Sequence, residues 1–241
     1  MDSLAVIVPT RGRPHTVAEL AAAFRDTCTE RTWLLFAVDA DDPEYARYRA
    51  AVDEAFVAHR RVQLTVQPAG TMVSALNHAA SVLLEAPGWT RPDAIGFMGD
   101  DHRPRTKGWD RAYLDALTAL PGIVYGNDLL QGPALPTQCA ISAHVVRALG
   151  HMAPAELTHL YVDNYWRDLG AAAGCLSYLP GVIVEHLHPM AGKADWDEGH
   201  RRVNQPAMYE RDKAAYAAYW STHRDRDVLA VRGARQEVPH G

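Results

Sequence analysis

Short apolar runs that alternate with amphipathic stretches constrain the fold of this 241-residue chain more than any other feature. Residues 4–8, 33–38 and 62–66 are short and apolar, and they predict buried strands. Residues 14–27 and 43–59 lie between them, begin at prolines and predict helices. Strands and helices that alternate in this way are typical of right-handed βαβ units, so we expect a mostly parallel sheet flanked by helices.

A fourth apolar run, residues 94–98, ends in Gly99 and two adjacent carboxylates, Asp100 and Asp101. In open α/β sheets, ligands bind at the carboxyl ends of strands. Two neighbouring carboxylates repel each other unless a cation lies between them, and oxygen ligands suit Mg²⁺ or Mn²⁺. An isolated Asp-Asp pair is also common in a solvated turn or as a helix cap, so its neighbours in the fold decide its meaning.

The second half of the chain is less regular. It predicts strands near 137–142 and 176–185, a helix over 162–169 closed by Gly170, and a last helix over 208–222. The residues that follow, 224–241, are polar and rich in Arg and Asp, and we expect a loosely ordered tail there.

The composition is that of an ordinary globular protein, 48% hydrophobic and 22% charged. A net charge of −5 argues against a broad electrostatic surface for nucleic acid. Three scattered cysteines without a Cys-x-x-Cys pair favour a reducing compartment. Since the sequence has neither a secretory pattern nor an apolar run of membrane-spanning length, we expect a cytoplasmic protein without a membrane partner.

Three of the predicted strands end in polar residues that suit one ligand. If the strands are parallel, these residues meet along one edge of the sheet, and we expect a shared ligand site there. They are Pro9, Thr10 and Arg11 after the first strand, Asp39 and Asp41 after the second, and Asp100 and Asp101 after the fourth.

In these motifs and in their order, the sequence resembles the A-type (GT-A) glycosyltransferases of the large, family 2-like group that includes small bacterial and phage enzymes. The resemblance rests on residues 6–13, 38–42, 74–79 and 99–101. It implies an α/β GT-A fold, with a Rossmann-like, mostly parallel central sheet flanked by helices and a mixed acceptor-side half. Because no linker divides the sequence, we also expect a single domain, in which 1–101 form the nucleotide-sugar-binding half and 102–223 the acceptor half.

The resemblance implies roles for individual residues. Asp39 would hydrogen-bond the base edge, and Asp101 would bind a metal that bridges the diphosphate. The family usually carries Asp-x-Asp where this chain has Gly-Asp-Asp-His, so the choice between Asp100 and Asp101 stays open and His102 could share the metal. The residues expected at the donor are Pro9, Thr10, Arg11, Arg13, Asp39, Asp41, Gly70, Asn77, Asp100 and, in a later loop, Lys193.

Two histidines lie at the end of a late predicted strand. Either His186 or His188 could complete the metal shell, and His186 is favoured because it is nearer the strand end. Imidazole together with carboxylate suits Mn²⁺ better than Mg²⁺. Lys193, in the loop that follows, could contact the diphosphate, and it is equally consistent with an exposed lysine in a mobile loop.

Asp163 opens a predicted helix, where Asp is an ordinary capping residue. The resemblance implies that an acid at this place deprotonates the acceptor hydroxyl for direct displacement at the sugar. We therefore expect a metal-dependent, inverting glycosyltransferase that uses a UDP- or GDP-sugar, with Mn²⁺ or Mg²⁺ as cofactor and Asp163 as base.

Two other functions remain open, a nucleotidyltransferase on a related α/β sheet and a non-catalytic nucleotide-sugar-binding module. The single glycine in residues 10–14 counts against the first, and the presence of both Asp100-Asp101 and Asp163 counts against the second. The likeness to small phage enzymes makes a modified DNA base one candidate acceptor, beside proteins and small glycans. If the gene belongs to a phage, the host cytoplasm is the expected location.

Overall fold

The structure, a computed structural model, describes residues 1–88 and 91–236; Trp89, Thr90, residues 237–241 and the side chain of His200 lie outside this description. The strands are β1 Ser3–Thr10, β2 Arg31–Asp39, β3 Val62–Gln67, β4 Ala94–Phe97, β5 His102–Pro104, β6 Ile123–Asn127, β7 Cys139–Ser142 and β8 Leu176–His186. The helices are α1 Thr16–Thr27, α2 Tyr45–Ala58, α3 Met72–Glu85, α4 Trp109–Ala119, α5 Ala143–Leu149, α6 Val162–Ala173, α7 Glu198–Val203 and α8 Pro206–Gln236.

The strands form one curved sheet in the order β3-β2-β1-β4-β7-β6-β8-β5. The first four strands in this order are parallel, as the alternation of strands and helices predicts. Strand β7 is antiparallel to both β4 and β6, β8 is parallel to β6, and β5 is antiparallel to β8. The predicted α/β class is confirmed, with a sheet that is parallel over β3-β2-β1-β4 and mixed over the remaining strands.

Helices cover both faces of the sheet, which explains why β1 has no polar alternation. Its Leu4, Val6 and Val8 pack in the layer that also contains residues of α1, α2 and α4. Ile7 points to the opposite layer, with residues of α3, α5, α6 and α8. A strand that is buried on both faces is apolar throughout, so the run at 4–8 is a reliable strand signal.

The short strand β5 has no signal in the sequence. A three-residue segment that contains an arginine and a proline shows neither an apolar run nor alternation. It forms because its backbone pairs with β8, and this pairing sets His102 directly opposite His186. Residues that are neighbours on paired strands contact each other even when they are far apart in sequence.

Two helix predictions in the second half are wrong at their C-terminal ends. Helix α6 continues through Gly170, which is buried against Leu176, and stops at Gly174 in the left-handed conformation at φ 70°. The last helix continues to Gln236, so the expected loose tail is wrong for 224–236. The Arg- and Asp-rich composition belongs to the exposed face of a helix whose other side buries Asp227, Val228, Val231 and Ala234.

Residues 237–241 of the expected tail lie outside the described residues. The division of one domain into donor and acceptor halves stays a prediction. None of the helices in the described ranges is both long enough and apolar enough to cross a membrane.

Candidate functional site

A cleft of about 520 Å³ opens where β1, β2 and β4 end. One wall, the donor wall, is lined by Pro9, Thr10, Arg11, Arg13, Asp39, Gly70, Asp100 and Asp101. The rest of the lining, which we call the acceptor wall, comes from later segments of the chain and includes His159, Tyr161, Asp163, His186 and His188. The polar strand ends therefore share one cleft, as the parallel order of the strands requires.

Asp100 joins the first and fourth strand ends of the donor wall. Its buried carboxylate accepts hydrogen bonds from Thr10 Oγ1 at 2.5 Å and Arg13 Nη1 at 2.9 Å. Burial raises the pKa of Asp100, Arg13 opposes this shift, and the neighbouring charge of Asp101 adds to it. Because both oxygens of Asp100 have protein partners, this carboxylate organises the donor wall.

Arg11 joins the first strand end to the second. Its Nη1 lies 2.9 Å from Asp39 Oδ2 and 2.6 Å from Asp41 Oδ1. Asp39 is buried and also accepts a hydrogen bond from Gln67 Nε2 at 3.1 Å. Asp41 is exposed and lies outside the lining of the cleft. The donor wall thus presents a fixed carboxylate, Asp39, next to a guanidinium.

Asp101 faces the two histidines that β5 and β8 bring together. Its Oδ2 lies 3.2 Å from His186 Nε2, and its Oδ1 lies 3.3 Å from His102 Nδ1. The two imidazoles stack with ring centroids 4.1 Å apart. Within the described residues, these three are the group whose donor atoms lie close enough for one metal ion. His188 is outside this group, and its Nδ1 accepts the Met190 N–H at 3.2 Å.

The donor atoms of this group fit a divalent cation. Burial lowers the pKa of His186, but Asp101 and Asp128 outweigh it and raise the pKa to about 9, so a cation would replace a proton there. Adjacent ligands in an octahedral shell of about 2.1 Å radius are about 3 Å apart, close to the 3.2 Å between Asp101 and His186. Nε2 of His102 is buried and has no hydrogen-bond partner among the described residues.

Asp163 lines the same cleft, in the first turn of α6. Burial is the main influence on its carboxyl group and raises its pKa to about 6, against the opposing effect of the Asn164 N–H that it accepts at 2.9 Å. Tyr161, two residues earlier, has a left-handed backbone at φ 65°, which is costly for a residue with a side chain. At neutral pH this carboxylate is ionised and still basic enough to accept a proton.

Asp128 lies behind the acceptor wall, next to His186, and was not predicted from the sequence. Its Oδ1 accepts backbone N–H groups of Leu130, Gln131 and Gly132, and its Oδ2 lies 3.9 Å from His186 Nδ1. Burial alone would raise its pKa, but His186 and these N–H groups hold it well below the usual range. Asp128 directly follows β6, so the strand-end argument used for Asp39 could have found it.

No protein-family model matches this chain, and no curated protein matches it. Solved structures do match. The mannosyltransferase PcManGT from Pyrobaculum calidifontis, in complex with GDP-Man and Mn²⁺, has a TM-score of 0.58 and 13% identity over 96% of this chain and 73% of its own. TarS 1–349 of S. aureus, in complex with UDP-GlcNAc, has a TM-score of 0.62 and 11% identity over 96% of this chain and 72% of its own. The chain has the GT-A glycosyltransferase fold.

Within this GT-A fold, Asn77 and Lys193 join Asp41 as predicted donor residues that lie away from the cleft lining. The Asn77 amide binds backbone instead, donating to Ala153 O at 2.8 Å and accepting the Met152 N–H at 2.9 Å. Lys193 forms an ion pair with Glu185 at 2.9 Å. The polar groups of both side chains are thus taken up by other parts of the protein.

Two residues that were not predicted from the sequence, Arg202 and His159, also line the cleft. Arg202, on α7, contributes a positively charged guanidinium group. His159 contributes an imidazole, and its burial lowers the pKa of this imidazole to about 4. Neither stands at a strand end or in a recognisable motif, so the sequence offers no signal for them.

Proposed function

We propose that the protein is a metal-dependent glycosyltransferase that transfers a sugar from a UDP- or GDP-sugar to an acceptor hydroxyl. One observation carries this proposal: Asp101 and His186 meet as metal-suited donors on the same cleft that Asp163 lines. The GT-A fold supports it, and so do the GDP-Man and UDP-GlcNAc complexes of the two structural neighbours.

The donor wall suits a nucleoside diphosphate. Asp39 is a buried carboxylate that can accept N–H groups of a base. Gly70 lines the same cleft, and a Cβ atom there would lie 2.3 Å from Ser74 Oγ. Arg11, Arg13 and Arg202 bring positive charge to the cleft for the diphosphate. Pro9 and Thr10 shape the wall between the base and the phosphates.

Asp101 and His186 would hold the metal, with His102 beside them. A carboxylate with imidazole favours Mn²⁺ over Mg²⁺. A divalent cation bound there would supply positive charge to the leaving diphosphate. The complex of PcManGT with Mn²⁺ supports this choice of ion.

Asp163 would act as the general base, which makes the reaction inverting. The acceptor O–H gives its proton to the Asp163 carboxylate, and the acceptor oxygen forms the new bond to the anomeric carbon. The bond from that carbon to the diphosphate breaks, and its electron pair leaves with the diphosphate. A modified DNA base, a protein and a small glycan all remain candidate acceptors, and a cytoplasmic location remains a prediction.

The proposal is tested by incubating the protein with a panel of UDP- and GDP-sugars, with MnCl₂ or with EDTA. We expect release of UDP or GDP from one of these donors by slow hydrolysis, only when the metal is present. A nucleotidyltransferase would instead release pyrophosphate from a nucleoside triphosphate, and a binding module would bind a donor without turnover. Either of these two results would refute the proposal.

A further inference from the structure

Helix α8 places a fully buried carboxylate, Asp212, against the backbone of the acceptor wall. Its Oδ2 accepts the N–H groups of His159 and Leu160, each at 2.8 Å. The Thr158 N–H lies 3.2 Å from both carboxylate oxygens. Three consecutive backbone N–H groups therefore converge on one side chain that does not itself line the cleft.

These N–H groups belong to the segment that leads into the proposed base. His159, Leu160 and Tyr161 line the cleft, and Asp163 follows them in the first turn of α6. Two backbone bonds to this segment are longer, from the Val73 N–H to Thr158 O at 3.3 Å and from the Tyr165 N–H to Tyr161 O at 3.0 Å. The carboxylate of Asp212 thus makes the shortest contacts that hold this backbone.

Successive N–H groups that point to one side form a concave site for an anion. Hydrogen bonds to an ionised carboxylate are shorter and stronger than those between neutral groups. A buried charge is tolerated only when such partners compensate for its lost hydration. The same contacts fix the chain just before Tyr161, whose left-handed backbone would otherwise relax to a more favourable conformation.

We propose that Asp212 is a positioning residue, which holds the segment 158–161 so that Asp163 faces the cleft. This inference rests on the proposed role of Asp163 as general base. Helix α8 would then support the proposed catalytic site from behind the acceptor wall, through the carboxylate of Asp212.

The chain contains a matched control for the purely structural part of this role. Asp110, on α4, is also fully buried and accepts consecutive N–H groups, those of Thr29 at 3.0 Å and Glu30 at 2.9 Å. That loop precedes β2, at the opposite end of the strand from Asp39. Loss of the Asp110 carboxylate should therefore reduce stability without changing the cleft.

The experiment compares Asp212→Asn with Asp110→Asn. Asparagine keeps the shape of the side chain but loses the charge and turns an N–H₂ group toward a backbone donor. We expect both variants to lower Tm. D212N should lower kcat for donor turnover at least tenfold with donor KM within twofold, whereas D110N should keep both constants within twofold. If D212N does not fold, the variant Asp212→Glu keeps the charge on a longer side chain. It should also lower kcat while donor KM stays within twofold.

Equal kcat values for D212N and D110N would overturn the positioning role, as would a rise in KM without a fall in kcat. If the wild-type protein turns over no donor, the proposed function fails, and hydrogen exchange then tests the positioning separately. D212N should speed exchange of the amides at 161–163 at least tenfold relative to D110N. Equal exchange at these amides in the two variants would contradict the inference.

Discussion

The two walls of the cleft differ in how the chain builds them. The donor wall collects the ends of parallel strands, where Thr10, Asp39 and Asp100 each follow a buried apolar run. The acceptor wall collects Asp163 and His186 from a helix start and a strand end that pack together only in the folded chain. Regular topology therefore fixes the first wall, and tertiary contacts fix the second.

The walls also differ in what stabilises them. On the donor wall, side chains bind side chains, as Asp100 does with Thr10 and Arg13. Behind the acceptor wall, buried carboxylates bind backbone N–H groups, as Asp128 and Asp212 do. Donor binding and chemistry should therefore respond to different substitutions, and four predictions test that separation, from the largest expected effect to the smallest.

The largest effect should come from Asp163→Asn. Loss of a general base typically lowers the rate 10²–10⁴-fold, so we expect a fall in kcat of about 10³-fold. Because the donor wall is untouched, UDP or GDP binding in the presence of Mn²⁺ should stay within twofold by calorimetry. A variant that loses nucleotide binding together with turnover would contradict the separation of the two walls.

The next largest effect should distinguish the roles of the two adjacent carboxylates of the donor wall, Asp100 and Asp101. Asp101→Asn should weaken Mn²⁺ binding about 10-fold or more, since it removes a ligand. Asp100→Asn should keep Mn²⁺ binding within threefold and raise donor KM, because Asp100 holds Thr10 and Arg13. Electron paramagnetic resonance of free Mn²⁺ measures the first quantity. The reverse result would assign the metal to Asp100.

The pH dependence of donor turnover should follow the ionisation of Asp163 on the acceptor wall. Burial raises the pKa of Asp163 to about 6 in the free protein, so the active, ionised form is present above that pH and is lost as the pH falls through it. A plot of log kcat/KM against pH should bend near 6 and decline on the acidic side. A plot that stays flat to pH 4.5 would exclude Asp163 as the group that controls the rate.

The smallest effect should distinguish two positively charged side chains, Arg202 and Lys193. Arg202 lines the cleft, whereas Lys193 is paired with Glu185 away from its lining. Arg202→Ala should raise donor KM about fivefold through loss of a charge-assisted contact, and Lys193→Ala should change it less than twofold. Steady-state kinetics with one donor compares the two. A larger effect of Lys193→Ala would favour its predicted contact with the diphosphate.

The same contrast explains which features the sequence could predict. Buried strands that end in acids are local signals, so they predict the parallel sheet and the place of Asp39 and Asp101. The pairing of β5 with β8 depends on backbone contacts between distant segments, and no local pattern encodes it. Asn77 lies on a helix that is predicted correctly, but its amide turns to the backbone at Met152, which belongs to another segment.

The last polar residues of the sequence show again that contacts between distant segments cannot be predicted from local composition. Residues 224–236 have the composition of a loose tail, yet Asp227 accepts the hydroxyl groups of Tyr165 at 3.0 Å and Tyr219 at 2.8 Å. Such contacts depend on where α6 lies, which the local composition of α8 cannot indicate.

The central claim is that one cleft holds the metal at Asp101 and His186 and the base at Asp163. A crystal structure of the protein with UDP or GDP and Mn²⁺, with anomalous data at the manganese edge, tests it most directly. We expect the anomalous peak between Asp101 and His186, the diphosphate beside it, and Asp163 facing the same space. A peak at His188, or a nucleotide bound outside this cleft, would contradict the account.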